Sequence, residues 1–340
     1  MDANVRSGVV PLPSDAAPAT FSDSPEGGRP AASGRLVRLS CRVGPVATCG
    51  GDEAAGAAAA HPAAAALPGS AAASGSDEET HGRDDEDAQP PRRRCKLFHG
   101  TAVREADPDD EFALTLEVVD ESTVAHCGLQ LWRGALLLAD WLLHCDVHPD
   151  AVGMELGSGL GLCSILLGRL CRTVFATDMR CPGLLFLKRN VARSVTSSSA
   201  SDVRVRDLNW AKPWPPEYRT DSDADMWTFR PADAAAVADV SVFIAADCLY
   251  DTAATKEFCR LLPLILLPGS GRWLWLSLER RIVFSIAERR AHAPAVELFF
   301  DLLREDGRLV ATQIPIDTIP QRVVEYERTP QLELWRVEPR

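Results

Sequence analysis

The stretch AVGMELGSGLGLCSILLG, residues 151–168, restricts the folds open to this chain more than any other. An apolar run reaches an acid at Glu155, passes Gly157, Gly159 and Gly161, and becomes apolar again at helical spacing. The pattern predicts a strand, a tight turn and a helix. Glycine there opens dihedrals closed to other residues and lets a ligand come up against the main chain. The first turn of the following helix offers unpaired N–H groups. The spacing is G-x-G-x-G, not G-x-G-x-x-G, and the acid stands two residues before the first glycine. Taken alone, such a turn is as compatible with a plain strand–helix connection as with a ligand site.

Two later segments tip that balance. TVFATDM, residues 173–179, reads as a second strand ending in Asp178. A carboxylate at the tip of strand two, about 20 residues past the glycines, is placed to accept hydrogen bonds from ribose hydroxyls. VSVFIAADCLY, residues 240–250, reads as a buried strand running into a polar and aromatic cluster. Between and beyond these, periodicity predicts helices over 134–145, 162–170, 181–194, 253–262 and 294–307, with Asp251 or Thr252 able to cap the fourth. It predicts further strands over 203–210, 272–279, 308–315 and 332–337.

This alternation is that of an α/β protein with a Rossmann-like, doubly wound seven-stranded sheet. The last two strands have no helix between them and imply an antiparallel C-terminal strand at one edge. Ahead of the sheet, residues 111–122 and the extended piece up to Trp132 suggest a small β-hairpin. Residues 1–95 are rich in Ala, Gly, Ser and Pro and are expected to be a low-complexity disordered tail, within which 34–43 could form one strand. Residues 96–340 are expected to be the folded domain, with 211–236 as a disordered or loosely helical surface insertion. In sheets of this kind ligands sit beyond the carboxyl ends of the strands. Glu155, Gly157, Asp178, Trp210 and Asp247 all fall at those ends.

Composition excludes several alternatives. A net charge of −12 argues against a general grip on nucleic acid, which needs basic surface to displace counterions. The run SDEETHGRDDED, residues 76–87, reads as a solvated acidic tract. The ten cysteines show neither C-x-x-C pairs nor Cys/His spacing, so they read as reduced thiols of an intracellular protein, with no metal site. No secretory pattern and no apolar run of membrane-spanning length is present in the sequence, so no membrane association is expected.

The pieces GLQLWRGALLLADWL, MELGSGLGL, FATDM, LNW, AADCLYD and LSLERRIVF resemble the seven-β-strand, S-adenosylmethionine-dependent methyltransferases. More narrowly, they resemble the family-16 protein lysine methyltransferases, in the group around methyltransferase-like protein 22. The likeness spans 112–340. Its glycine motif marks only the superfamily, D-x-x-Y at Asp247 to Tyr250 is characteristic of the family, and the L-E-R-R segment points to the group. The resemblance implies S-adenosylmethionine as cofactor and residue roles with it. Glu155 and the backbone of Gly157, Ser158 and Gly159 would hold its methionine end. Asp178 would take the ribose hydroxyls, with Met179 beside it. Trp210 would lie beside the adenine, Trp132 would cover the cofactor, and Ala246 would line the pocket through its backbone. Asp247 and Tyr250 would stand where the acceptor amine enters. Asn209 departs from the pattern, since relatives often carry an acid there.

The implied activity is that of a protein-lysine N-methyltransferase acting, as a monomer in cytoplasm or nucleus, on a nucleic-acid-associated or chaperone-type protein. On this reading Asp247 positions the amine and Tyr250 shapes a narrow slot around it. Glu279 and Arg280 read as a surface ion pair outside the site. A nucleic-acid or small-molecule acceptor, or a non-catalytic protein using the same fold, is the alternative. Against a base acceptor, Cys248 and Leu249 stand where base-methylating enzymes place two prolines.

Overall fold

The structure, a computed structural model, describes residues 10–11, 34–42, 111–119, 128–194, 202–220, 225–285 and 289–340. All of them belong to one unit formed by Met1–Cys49 with Ala106–Arg340. A second unit, Gly50–Glu105, lies outside the described residues.

Strands β1 (Val10–Pro11), β2 (Gly34–Arg42) and β3 (Glu111–Val119) form an antiparallel sheet in that order. Helix α1 (Arg133–Leu142) leads into the main layer: β4 (Val152–Leu156), α2 (Leu162–Leu167), β5 (Thr173–Asp178), α3 (Gly183–Ser194) and β6 (Asp202–Asp207). A 3-10 turn (Pro231–Asp233) and α4 (Ala234–Ala238) precede β7 (Val240–Ala246), α5 (Thr252–Ile265) and β8 (Trp273–Glu279). A hairpin of β9 (Val283–Ser285) and β10 (Arg290–His292) follows, then α6 (Pro294–Asp306), β11 (Leu309–Ile314) and β12 (Leu332–Pro339). The main sheet has seven strands in the order β11-β12-β8-β7-β4-β5-β6. Strands β4 to β8 run parallel, and β12 is antiparallel to both of its neighbours.

All seven sheet strands read from the sequence are present, and so are the main helices. Helix α1 buries residues nearly all round, as its apolar composition demands. Asp251 caps α5 by accepting from Ala254 N–H at 2.8 Å. Helix α6 buries Val296, Phe299 and Leu303 and ends at Gly307 in the left-handed region, φ 70°.

Three expectations are corrected. The antiparallel strand is not at the edge: β12 inserts between β8 and β11, pairing Trp335 with Leu276 on one side and with Gln313 on the other. This gives apolar β12 two neighbours and leaves β11, whose Thr312 and Gln313 are exposed, at the rim. The predicted hairpin of 111–132 is replaced by a long-range pairing of β3 with β2, Leu39 opposite Leu114 and Val37 opposite Leu116. The boundary at 95 therefore cuts through a sheet whose Val37, Leu39 and Cys41 lie in the core. Helix α3 locks β3 down: Asn190 accepts from Glu117 N–H at 2.7 Å and donates back to Glu117 O at 3.1 Å, while Arg189 and Arg193 hold the Glu117 carboxylate at 2.8 Å.

The third correction concerns the described part of 211–236, which packs rather than lying loose. Phe229 is buried against Phe175, ring centroids 5.8 Å apart. Buried Asp233 receives Arg204 at 3.0 Å and Arg206 at 2.8 Å, from the edge strand β6. The β9–β10 hairpin has no counterpart in the sequence reading, since its three-residue strands give no periodicity to read.

Removing the Phe229 ring leaves a cavity beside β5. We expect Phe229→Ala to destabilise the fold by about 3–5 kcal/mol, read from urea denaturation. A loss below 1 kcal/mol would return this segment to the surface insertion that composition suggests.

Candidate functional site

The glycine bend after β4 grips the next strand. Gly157 and Ser158 donate their N–H groups to Thr177 O at 3.0 and 2.9 Å. The chain then turns through left-handed dihedrals, φ 78° at Gly157 and 49° at Gly159. A Cβ at Gly157 would stand 2.9 Å from Cys248 Sγ, and one at Gly159 would stand 2.8 Å from Gly128 O. Only glycine fits either place without displacing backbone or a buried thiol.

The Gly159 N–H points at the tip of β5, where Asp178 Oδ2 accepts it at 2.8 Å. Asp178 Oδ1 accepts Met179 N–H at 2.7 Å. Each oxygen thereby uses one lone pair, and about two of the four acceptor positions stay open. Burial raises the Asp178 pKa above the ordinary carboxylate value. Its two backbone hydrogen bonds pull the other way, and the charge of Asp207 adds to the rise.

Glu155 is buried at the end of β4, and its carboxylate accepts from the Ser164 hydroxyl of α2. Desolvation pushes its pKa to about 8, against the opposing hydrogen bond from Ser164. Ser158, also buried, has its Oγ 3.2 Å from that of Ser164.

Trp210 leans over the same bend: its ring lies 3.5 Å from the place of a Gly157 Cβ and packs on Phe258 with centroids 5.0 Å apart. Asn209 is engaged locally, accepting from Ala211 N–H at 2.9 Å. Cys248, whose thiol burial raises its pKa well above the ordinary value, donates to Leu156 O at 3.1 Å. That bond ties the end of β7, at Ala246, to the end of β4.

Asp247 stands at the tip of β7 with φ 51°, uncommon for a residue with a side chain. It is 7% exposed. Its Oδ2 accepts Gly134 N–H from the start of α1 at 2.7 Å, and its Oδ1 accepts Glu279 N–H from the end of β8 at 2.9 Å. Ser277 closes the same corner, donating to Gly134 O at 2.7 Å. Burial raises the Asp247 pKa, while Arg281 and the two N–H groups pull it down. A side chain at position 134 would meet the Asp247 carboxylate at 2.6 Å, which accounts for the glycine of the W-R-G sequence. The direct hold on an amine expected of Asp247 thus has to share a carboxylate that already clamps two elements together. Trp132, at the N-cap of α1, carries the Arg281 guanidinium 4.4 Å from its ring centroid. Tyr250 is 52% exposed on the turn that follows Asp247, and Met179 is exposed beyond Asp178.

The structure therefore brings Glu155, Gly157, Ser158, Gly159, Asp178, Trp210 and Ala246 together at neighbouring strand ends, with Asp247 and Trp132 on the adjoining corner. Tyr250 and Met179 lie on the exposed turns continuing from it. Sequence reading missed Gly128, Gly134, Cys248 and Arg281. Gly134 carried a signal in its place directly after Trp132 and Arg133. It also misjudged Glu279, which is no loose surface ion pair: it receives Arg133 at 2.8 Å and Thr329 at 3.2 Å.

The donor and acceptor set fits a cationic sulfur nucleoside. Glycines let the ligand approach the backbone, Asp178 has acceptor capacity for vicinal hydroxyls, and Glu155 is a buried acid that a positive ligand would ionise.

Two outcomes follow from this geometry. Gly159→Ala should destabilise the protein by about 1–3 kcal/mol in thermal denaturation, because the new methyl meets the Gly128 carbonyl. Because the folded Glu155 binds its proton more tightly than the unfolded chain does, stability should fall as pH rises from 4.5 towards about 8. Glu155→Gln should flatten that slope; an unchanged slope would show that Glu155 is not its source.

Comparison with known proteins bears on the family. Residues 111–284 match a family model described as lysine methyltransferase. Methyltransferase-like protein 22 of Mus musculus is 32% identical over 219 residues, 62% of this chain and 55% of the relative. The Homo sapiens protein of the same name is 30% identical over 219 residues, 62% of this chain and 54% of the relative. The chain thus spans about half the length of the curated relatives it matches. Among solved structures, the CcbJ methyltransferase from Streptomyces caelestis aligns with TM-score 0.37 and 16% identity, covering 61% of this chain and 90% of the other. A TehB-like SAM-dependent methyltransferase from Corynebacterium glutamicum aligns with TM-score 0.36 and 11% identity, covering 64% and 92%. Neither score is high enough to argue from. The family match spans half the sequence and includes the glycine bend, the Asp178 tip and D-x-x-Y, and on it this chain belongs to the lysine methyltransferase family.

Proposed function

We propose that this chain transfers a methyl group from S-adenosylmethionine to a lysine side chain of a protein. One observation carries the reading: the Asp178 carboxylate accepts the Gly159 N–H at 2.8 Å, so the glycine bend and the acidic strand tip form one rim. Bound there, the cofactor supplies a methyl group activated by its sulfonium. The chain's own residues do the rest. Glu155 and the backbone of Gly157, Ser158 and Gly159 would hold the cofactor's amino-acid end. The open acceptor positions of Asp178 would take the ribose hydroxyls with Met179 beside them, Trp210 would lie beside the base, Trp132 would cover the cofactor, and Ala246 would line the site through its backbone.

The acceptor raises a protonation problem. A lysine ammonium, with an ordinary pKa of about 10.4, is charged at neutral pH and has no lone pair to attack with. The negative corner at Asp247 draws the ammonium in but also favours the charged form. Desolvation against Trp132 and Tyr250 works in the opposite sense and expels the proton to water at the half-exposed mouth. Asp247 aligns the slot chiefly by fixing α1 and β8 around it; orientation of this kind accounts for a large part of a transfer rate. The acidic net charge and the residues Cys248 and Leu249 after Asp247 favour a protein acceptor over a nucleic acid.

Incubating the purified chain with isotope-labelled S-adenosylmethionine and a proteome extract tests this directly. Label should enter material that protease removes and nuclease does not, and Asp247→Ala should abolish it. Asp178→Ala should weaken S-adenosylhomocysteine binding by about tenfold or more in calorimetry. Nuclease-sensitive label would move the acceptor class, and absence of S-adenosylhomocysteine binding would leave a non-catalytic member of the family.

A further inference from the structure

Three consecutive charged residues stand at and just after the end of β8, and they are held differently. Glu279 receives Arg133 at 2.8 Å, and Arg280 grips Glu333 at 2.6 Å. Arg281 makes no side-chain hydrogen bond among the described residues. Its guanidinium carbon lies 4.4 Å from the Trp132 ring centroid, and its Nη2 lies 4.0 Å from Asp247 Oδ1, beyond hydrogen-bond range. The Arg281 side chain is 38% exposed, whereas that of Asp247 is buried. The residues that follow, Ile282, Val283 and Phe284, are exposed as well, so no buried side chain in them anchors this stretch.

A cation over an indole face beside a carboxylate is the arrangement that recognises an ammonium group. Each Asp247 oxygen has given one lone pair to a backbone N–H, which leaves acceptor capacity towards the guanidinium. The site thus contains a cation slot, walled by Trp132 and Asp247, at the strand tip where D-x-x-Y lies. We propose that Arg281 is a placeholder in this slot: its loosely held guanidinium occupies the position that the acceptor's primary ammonium takes once it displaces the arginine. The identity of the acceptor rests on the methyltransferase reading; the slot itself does not. Held by a ring and a distant charge instead of by hydrogen bonds, Arg281 keeps the Asp247 corner neutralised at modest cost to entry. It raises the threshold for amines that bring no further contacts, and so acts on specificity as a positioning residue, not as a catalytic one.

The test uses the full chain and n-butylammonium chloride as probe, titrated by saturation-transfer NMR. Arg281→Met keeps the apolar stem and removes the charge; Arg281→Gln serves in its place if the first variant does not fold by circular dichroism. Either should bind n-butylammonium about tenfold tighter than the unmodified chain. Arg281→Lys, which retains a cation, should show no gain, and Trp132→Leu in the Arg281→Met background should cancel it. Equal affinity in the unmodified chain and Arg281→Met, or a gain that survives Trp132→Leu, overturns the proposal. Parallel titration with S-adenosylhomocysteine separates the two readings. Lost cofactor-product binding removes the methyltransferase function while the slot result stands, and intact binding without an alkylammonium gain removes the slot alone.

Discussion

Everything at the carboxyl edge of the sheet depends on how three acids at strand ends are satisfied. Glu155, Asp178 and Asp247 end β4, β5 and β7, and taking a carboxylate out of water is costly unless hydrogen-bond donors meet it. Asp178 and Asp247 are met by backbone N–H groups from elements other than their own: Gly159 for Asp178, and Gly134 and Glu279 for Asp247. Glu155 is met by Ser164 of α2. Each acid therefore fastens a neighbouring bend or helix start to its strand. The same desolvation that makes these bonds structurally necessary raises all three pKa values.

That arrangement explains why the candidate site and the fold are hard to separate. The glycine bend has to pass close to Gly128 and Cys248, and Gly134 has to let Asp247 reach the α1 backbone. A side chain at any of these positions disturbs both the packing of the layer and the place where the candidate site residues meet. Another buried acid works in the same way further along α1. Asp140 of α1 accepts from Arg322 N–H at 2.7 Å, Val323 N–H at 3.1 Å and Tyr326 Oη–H at 3.0 Å, and it pairs with Arg328 at 2.8 Å. It pins the long connection between β11 and β12 to the helix that carries Trp132.

Net acidity and local chemistry point in one direction here. A rim with several carboxylates suits a cation, and the arginine that the chain itself lays across Trp132 occupies such a place. Among the described residues, arginines pair with the chain's own acids, as at Glu117, Asp233 and Glu333.

The sequence alone determined the parts whose signals are local. A strand, a glycine bend and a helix are written in consecutive residues, so β4–α2 and the Asp178 tip were legible, as were the α6 stripe and the Asp251 cap. The tertiary structure decided what depends on residues distant in the chain. Whether 34–42 is tail or strand depends on pairing with 111–119 across some 70 residues, and alternation by itself does not name a partner. Where β12 inserts, whether Phe229 is buried, and that Asp247 serves two backbone N–H groups before any ligand are likewise outcomes of packing. Periodicity says which side chains want to leave water; only the assembled layers say what they leave it for.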